Sequence, residues 1–289
     1  MIKRIIRKLV SFPKKMYRKK NAKNEAARLV SSNNPKLKAI GEALREAFAT
    51  SLSPEEKQLV DRIEQRRALL LRSEKTIEVI DYGAGDADSR RTTEEMNKGV
   101  RSTALVGKVS QWSKPAFWAL VLFKLVRKLK PNSSLELGTC VGISAAYLSA
   151  ALQLNGKGRL LSLEGSPAIA EIARETLQDM RFENCSVITG PFYETLKASM
   201  ESARPIDFFF NDGHHDHDAV IQYFNESLPN LADQSIVVFD DISWTPGMRQ
   251  AWVEIENHPQ VSATIDLETI GIALISNHPA RKEKYRMPL

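Results

Sequence analysis

Apolar residues recur at helical spacing over the first third of the chain, and past Ser133 they fall into short solid runs separated by turn residues. At the N-terminus Met1, Ile2, Ile5, Ile6, Leu9 and Val10 share one helical face while Lys3, Arg4, Arg7 and Lys8 fill the other, which predicts a short basic amphipathic helix ended by Phe12-Pro13. From Pro35 to Arg72 the spacing predicts two helices. The second opens at Ser53-Pro54-Glu55-Glu56, where a cap, a proline at the first helical position and two acids coincide. Thr76 to Asp81 reads as a short strand, Gly83 to Arg101 as a polar loop or lid, and Pro115 to Leu129 as an apolar helix closed by Pro131-Asn132.

From Ser133 onward strand and helix signals alternate, the pattern of an α/β domain. Strands are expected at 134–138, 159–164, 186–190, 206–212, 235–240, 263–267 and 270–275, with helices at 142–154, 167–180, 193–200, 218–228 and 247–257. Only Glu268 and Thr269 separate the last two strands. They must pair as a hairpin, which places an antiparallel strand in an otherwise parallel sheet. The expected fold is α/β, with a seven-stranded mostly parallel sheet, a C-terminal antiparallel hairpin strand and an N-terminal helical cap. The expected divisions are a basic tail (1–24), a cap or lid region (25–114), a catalytic domain (115–278) and a C-terminal tail (279–289).

A chain of 289 residues that is 43% hydrophobic and 26% charged has the apolar mass for a full core, which excludes disordered and collagen-like classes. Its longest apolar run, Ala116 to Phe123, is broken by Lys124 and falls short of the ~20 residues that span a bilayer. Two cysteines, Cys140 and Cys185, argue against a disulfide framework and against CxxC sites, so a reducing cytoplasm is the expected compartment. The net charge of +6 is localised: residues 1–24 carry ten Lys/Arg and no acid, leaving −4 on the remaining 265. This weakens a broad phosphate-gripping face. In the tail, Lys14, Lys15, Arg18, Lys19 and Lys20 suit attachment to an anionic membrane surface at about 1 kcal/mol each. A solvated arm is the alternative. No uninterrupted apolar stretch of a secretory signal follows the charges, whereas an organelle transit peptide remains compatible.

Leu135-Glu136-Leu137-Gly138-Thr139-Cys140-Val141-Gly142-Ile143-Ser144 is a strand that passes through a glycine turn into a helix, a turn that aims helix N-terminal N–H groups at an anionic ligand. The dinucleotide fingerprint G-x-G-x-x-G would need glycine where Cys140 stands, so the turn suits a ligand without a pyrophosphate. Tyr82-Gly83-Ala84-Gly85-Asp86 looks superficially similar, but the polar stretch after it offers no helical face to pack on a sheet.

With its E-L-G-T-x-x-G-I-S stretch, the segment from Lys114 to Ser276 resembles the class I S-adenosylmethionine (SAM) dependent methyltransferases, whose fold is Rossmann-like. More narrowly it resembles the metal-dependent O-methyltransferases of the catechol and macrocin types. The resemblance implies that Gly138, Thr139 and Gly142 shape the cofactor loop. Ser144 would hold the methionine carboxylate, Glu164 the ribose hydroxyls, and Gly190 the adenine side, where Phe192 could equally be core. Glu136 would either meet the cofactor amino group or orient the loop.

Two further runs, Ile206-Asp207-Phe208-Phe209-Phe210-Asn211-Asp212 and Ser235-Ile236-Val237-Val238-Phe239-Asp240-Asp241, read as buried strands that end in acids. If they are neighbours their ends lie ~4.8 Å apart, and carboxylates from both can converge on one hard cation such as Mg²⁺. In the family resembled, the metal acids match Asp212, Asp240 and Asp241, and the general base matches His215. Lysine takes that place in the catechol type and histidine in the macrocin type. His214-His215-Asp216-His217 lacks the H-x-H-x-D-H spacing of a zinc hydrolase, and His214 and His217 read as substrate-facing or exposed. Trp244 could wall an acceptor pocket or simply pack.

The implied activity is SAM-dependent, metal-assisted O-methylation of a small-molecule, saccharide or lipid-linked hydroxyl. Three alternatives were weighed. Nucleic-acid methylation lacks both a D/N-P-P-Y/F motif and a Pro-Cys nucleophile. A non-catalytic SAM-fold binding module has no need of three acids at two strand ends, and a nicotinamide-dependent reductase is disfavoured by Cys140.

Overall fold

The computed structural model describes residues 21–86, 89–277 and 282–289. Most of the predicted amphipathic tail, residues 1–20, lies outside them. Helix α1 covers 21–30, followed by α2 (Pro35–Phe48) and α3 (Pro54–Leu71). Next come β1 (Thr76–Asp81), the short β2 (Gly85–Asp86) and β3 (Ser89–Arg90), α4 (Thr93–Lys98), β4 (Val100–Leu105), α5 (Val106–Val109) and α6 (Ala116–Leu129). The alternating part runs β5 (Ser133–Leu137), α7 (Ile143–Asn155), β6 (Arg159–Glu164), α8 (Pro167–Asp179), β7 (Cys185–Thr189), α9 (Phe192–Ala203), β8 (Ile206–Asn211), α10 (His217–Ser227) and β9 (Leu231–Phe239). It closes with α11 (Pro246–Asn257), β10 (Val261–Asp266), β11 (Gly271–Ile275) and β12 (Glu283–Arg286).

One eight-stranded sheet, in the order β12-β10-β11-β9-β8-β5-β6-β7, carries the domain. The central strands β5, β6, β8 and β9 pair in parallel, while β11 runs antiparallel to both β9 and β10, as the two-residue connection requires. Phe208, Phe209 and Phe210 are fully buried because β8 has helices on both faces, and an unbroken apolar run is what such a strand needs. The strand order reverses at β5 and β8. Ligands of open α/β sheets bind at that reversal, beyond the carboxyl ends of the strands.

Three expectations are corrected. The sheet has eight strands rather than seven, because Glu283–Arg286 pairs in parallel with β10, so the segment 279–289 is not simply a tail. The edge strand has only four residues, whose alternation is too short to register as a pattern. The cap is not wholly helical either: β1 pairs antiparallel with β4 in a separate two-stranded sheet. Last, the expected loop at 83–101 contains the β2–β3 pair and α4, whose start is fixed by a capping box between Thr92 and Glu95. Among the described residues no helix is long and apolar enough to cross a membrane.

Helix α3 starts where Ser53 caps the Glu56 N–H and the Glu56 carboxylate accepts from the Ser53 N–H. The same carboxylate accepts from Lys124 Nζ at 2.6 Å and from Arg127 Nε at 3.1 Å, and Lys124 Nζ also donates to Glu46 of α2 at 2.9 Å. Lys124 is 2% exposed, within the buried apolar face of its helix. A buried ammonium persists only when paired, so α2, α3 and α6 are bound together through it.

Replacing Lys124 by Met should destabilise the fold by about 3–5 kcal/mol, since Glu56 is left buried beside Arg127 alone. Burial by itself would raise both carboxyls, but Lys128 and Lys124 lower that of Glu46, and Lys124, the Ser53 N–H and Arg127 lower that of Glu56, each below 4.5. A depressed carboxyl stabilises above its unfolded value and ceases to do so as pH falls through its folded value. Urea unfolding of the wild type and Lys124→Met chains should therefore differ most near neutral pH and converge below about pH 4.5.

Candidate functional site

The turn after β5 is held against its neighbours by close contacts. Gly138 has φ of +87°, and its N–H donates to Leu163 O at 3.0 Å. A Cβ there would lie 2.4 Å from the Asp212 carbonyl oxygen, so glycine lets this turn touch the end of β8. At Gly142 (φ +86°), a Cβ would meet the α8 backbone at Ala173. Thr139 Oγ1 shares a 2.6 Å hydrogen bond with Ser162 Oγ, and Ser162 in turn donates to Glu136. Glu136 is wholly buried, and burial pushes its carboxyl up to about 7 against the hydroxyls of Ser162 and Ser144.

A cleft of about 520 Å³ opens above this turn, lined by Gly138, Cys140 and Glu164 on one side and by Asp212, His215, Asp241 and Trp244 on the other. Glu164 accepts the backbone N–H groups of Cys140 and Ser166, both at 2.9 Å. Burial still raises its carboxyl to about 7, with the Asp81 charge adding to the effect. Of the residues expected at a cofactor, Gly138 and Glu164 line the cleft. Thr139, Gly142 and Gly190 stand behind the lining, and Glu136 and Ser144 are buried beneath the turn, the two side chains facing each other. Below the turn the Glu136 carboxylate thus faces the hydroxyls of Ser162 and Ser144.

The roof of the cleft comes from the end of the strand read at 76–81 and from the segment after it, read as a loop or lid. Tyr82 lies against Gly165, where a Cβ would be 2.6 Å from its ring, and Ile80 N–H donates to Ser166 Oγ at 3.2 Å. Arg91 ties Asp81 and Gly83 together with bonds of 2.8 Å to the Asp81 carboxylate and 3.0 Å to Gly83 O. Composition alone did not mark these residues as lining, because their role depends on β1 being turned over the main sheet by its pairing with β4.

At the other wall the ladder continues past the strand ends. Asp212 N–H donates to Leu137 O and Asp240 N–H to Asn211 O, each at 3.0 Å, so the two acids lie side by side as predicted. Lys114 Nζ, 3.2 Å from Asp212 Oδ1, also donates to Asp240 Oδ2. His215 Nε2 lies 3.3 Å from Asp212 Oδ1, 3.8 Å from Asp240 Oδ2 and 4.0 Å from Asp241 Oδ2, with no aligned hydrogen bond. Ligand atoms of Asp212, His215 and Asp240 fall within 4.8 Å of one another, so the group that could hold an ion includes His215 and leaves Asp241 at its margin. Asp240 Oδ1 is buried without a partner.

Burial would raise the Asp212 carboxyl, but the Lys114 charge and His215 overcome it and hold it down to about 2. At Asp240 burial and repulsion from Asp212 win, which places its carboxyl well above the ordinary range. Burial disfavours the charged form of His215, yet the carboxylates of Asp212, Asp240 and Asp241 raise it above 6.5. His214 packs edge-on against Phe192 and shares a hydrogen bond with Tyr223, while His217 pairs with Asp218 and Glu254 at 2.7 and 2.9 Å. Neither belongs to the cluster. Trp244, 42% exposed, presents its edge to His215 with ring centres 5.8 Å apart. Sequence reasoning missed Lys114: one lysine before a proline carries no local signal, and its partners lie 98 and 126 residues away.

Residues 135–242 match a family model described as a methyltransferase domain. No curated protein matches the chain. Among solved structures, an S-adenosylhomocysteine-bound methyltransferase of Podospora anserina is similar at TM-score 0.53 and 15% identity, covering 78% of this chain and 89% of its own. An O-methyltransferase of Bacillus cereus in complex with S-adenosylhomocysteine is similar at TM-score 0.52 and 19% identity, covering 81% and 97%. At these identities the likeness establishes a shared fold.

Gly138→Ala should lower unfolding stability by about 1–3 kcal/mol, because it adds a left-handed penalty to a backbone clash with Asp212. Chemical denaturation checks the value, and a wild-type midpoint would refute the close approach.

Proposed function

We propose that the chain is a SAM-dependent O-methyltransferase. The observation that carries this reading is the placement of His215 and the acids of β8 and β9 across one cleft from Gly138 and Glu164, in a matched methyltransferase domain. Bound SAM supplies an electrophilic methyl group on a sulfonium and leaves as the neutral thioether. Glu164, already fixed by two backbone N–H groups, accepts the ribose hydroxyls, and Tyr82 with Pro191 and Phe192 closes the far end.

The acceptor enters beside Trp244, and its hydroxyl is set against His215. With SAM bound there, its methyl would pass to an in-line hydroxyl oxygen as the S–C bond breaks, and His215 would accept the hydroxyl proton. A neutral hydroxyl is a weak nucleophile, so this proton acceptor and the alignment of the reactants are the chain's main contributions. The acceptor class is a hydroxylated ring or a sugar whose hydroxyl can reach His215.

A divalent ion is a second reading, favoured by the spacing of Asp212, His215 and Asp240 and by the unpartnered Asp240 Oδ1. Such an ion would act as a Lewis acid on the acceptor hydroxyl. The donor set suits a hard cation, but the Lys114 ammonium already bonds both carboxylates. The ion fits only if Lys114 withdraws.

Calorimetric titration with SAM, followed by transfer of labelled methyl to a panel of catechols and sugar diols, tests the proposal. Absence of SAM binding would remove it. Glu164→Ala should weaken SAM binding by about tenfold or more, the loss of a charge-assisted hydrogen bond. His215→Ala should retain SAM affinity while turnover falls by about 10²–10⁴.

A further inference from the structure

Lys114 has no part in the chemistry described so far, yet it is 8% exposed and lies between the two acids that end β8 and β9. Carboxylates packed this closely repel unless one keeps its proton or a positive charge faces them. Here that charge is built into the chain. The same oxygen, Asp212 Oδ1, faces Lys114 Nζ at 3.2 Å and His215 Nε2 at 3.3 Å, so ammonium, carboxylate and imidazole form one connected row.

The lysine is not a surface side chain that has drifted into a gap. Its backbone carbonyl accepts from Arg67 Nη1 of α3 at 2.8 Å, and Arg67 is paired with Glu64 at 2.9 Å. Glu64 accepts from Tyr147 of α7 at 2.7 Å, which anchors the cap to the helix that follows the cofactor turn. The Phe210 ring lies under the ammonium at 5.9 Å, and Pro115 restricts the backbone just after it. Lys114, Arg67 and Glu64 all precede the segment that matches the methyltransferase domain, 135–242.

We propose that Lys114 is the resident cation of the acidic strand ends, supplying from within the chain the positive charge a divalent ion would bring, so that Asp212 and His215 are held in place without metal. Lys114 is a positioning residue: it acts through Asp212 on the imidazole and does not line the cleft. A divalent ion set among Asp212, His215 and Asp240 would meet the ammonium at contact distance in a water-poor interior, where like charges repel strongly. That these residues serve methyl transfer rests on the function proposed above. Which cation they hold does not.

The decisive measurement is titration of the full chain, stripped by chelator, with Mn²⁺ in the presence and absence of SAM, read by calorimetry and by the electron spin resonance of free Mn²⁺. The wild type should take up no Mn²⁺ at the acids and should bind SAM equally well before and after stripping. In Lys114→Met the acids should become a Mn²⁺ site, with affinity raised by about 100-fold over wild type and abolished again by adding Asp240→Asn. Tight Mn²⁺ binding by the wild type that Asp240→Asn removes would overturn the proposal. So would a Lys114→Met chain that binds SAM and still takes no Mn²⁺. If Lys114→Met fails to fold, the wild-type titration decides alone, with Lys114→Gln as the milder replacement. Failure of the wild type to bind SAM would strike the methyltransferase reading and leave the Mn²⁺ result to be judged separately.

Discussion

Two carboxyl groups buried side by side at the ends of adjacent strands can both be ionised only if something positive faces them. In this protein the requirement reaches far beyond the acids. The Lys114 ammonium meets Asp212 and Asp240, its carbonyl is gripped by Arg67, and Arg67 is held through Glu64 to Tyr147. The cap helix α3 and the acidic strand ends are thereby one electrostatic unit. A second buried lysine, Lys124, binds α2 and α3 to α6 through Glu46 and Glu56. Each lysine must keep its partners, since an unpaired buried charge is far more costly than a paired one. The cap is therefore part of the site and not an appendage to it.

The second constraint is steric. Gly138 has to be glycine both for its left-handed backbone and because the Asp212 carbonyl occupies the place of a Cβ. Gly165 makes room for the Tyr82 ring, and Gly213 for that of Phe192. These approaches join the cofactor turn, the acidic strand end and the roof into one surface, so a change at any of them is transmitted to the others. Interiors packed this closely do not absorb an added methyl group without movement.

The fold is shared with methyltransferases of very different sequence, and that breadth is why the fold by itself does not identify an acceptor. The features that bear on an acceptor are local: a histidine after the first strand acid, an exposed tryptophan beside it, and an ammonium between the acids. Of these, the histidine and the tryptophan stand a few residues from the acids and were visible in sequence. The ammonium was not.

The sequence alone settled what depends on near neighbours. Alternating apolar runs and turn residues marked the strands and helices from Ser133 to Ile275, the two-residue link forced the β10–β11 hairpin, and Ser53 to Glu56 announced the start of α3. The glycine turn and the acids of β8 and β9 were legible because their chemistry is concentrated at strand ends. Residues whose role depends on distant partners could not be read this way. Glu136 is held below the glycine turn because Ser162 lies opposite it on β6. Tyr82 is a roof because β1 pairs with β4, and β12 is a strand because β10 offers it an edge. Lys114 is the clearest case: its charge is visible anywhere in the chain, but burial between two carboxylates about a hundred residues downstream exists only once β8 and β9 lie side by side. Local pattern is set by backbone geometry and hydrophobic spacing, which act over a few residues, whereas the pairing of buried charges is decided by which surfaces the folded chain brings together.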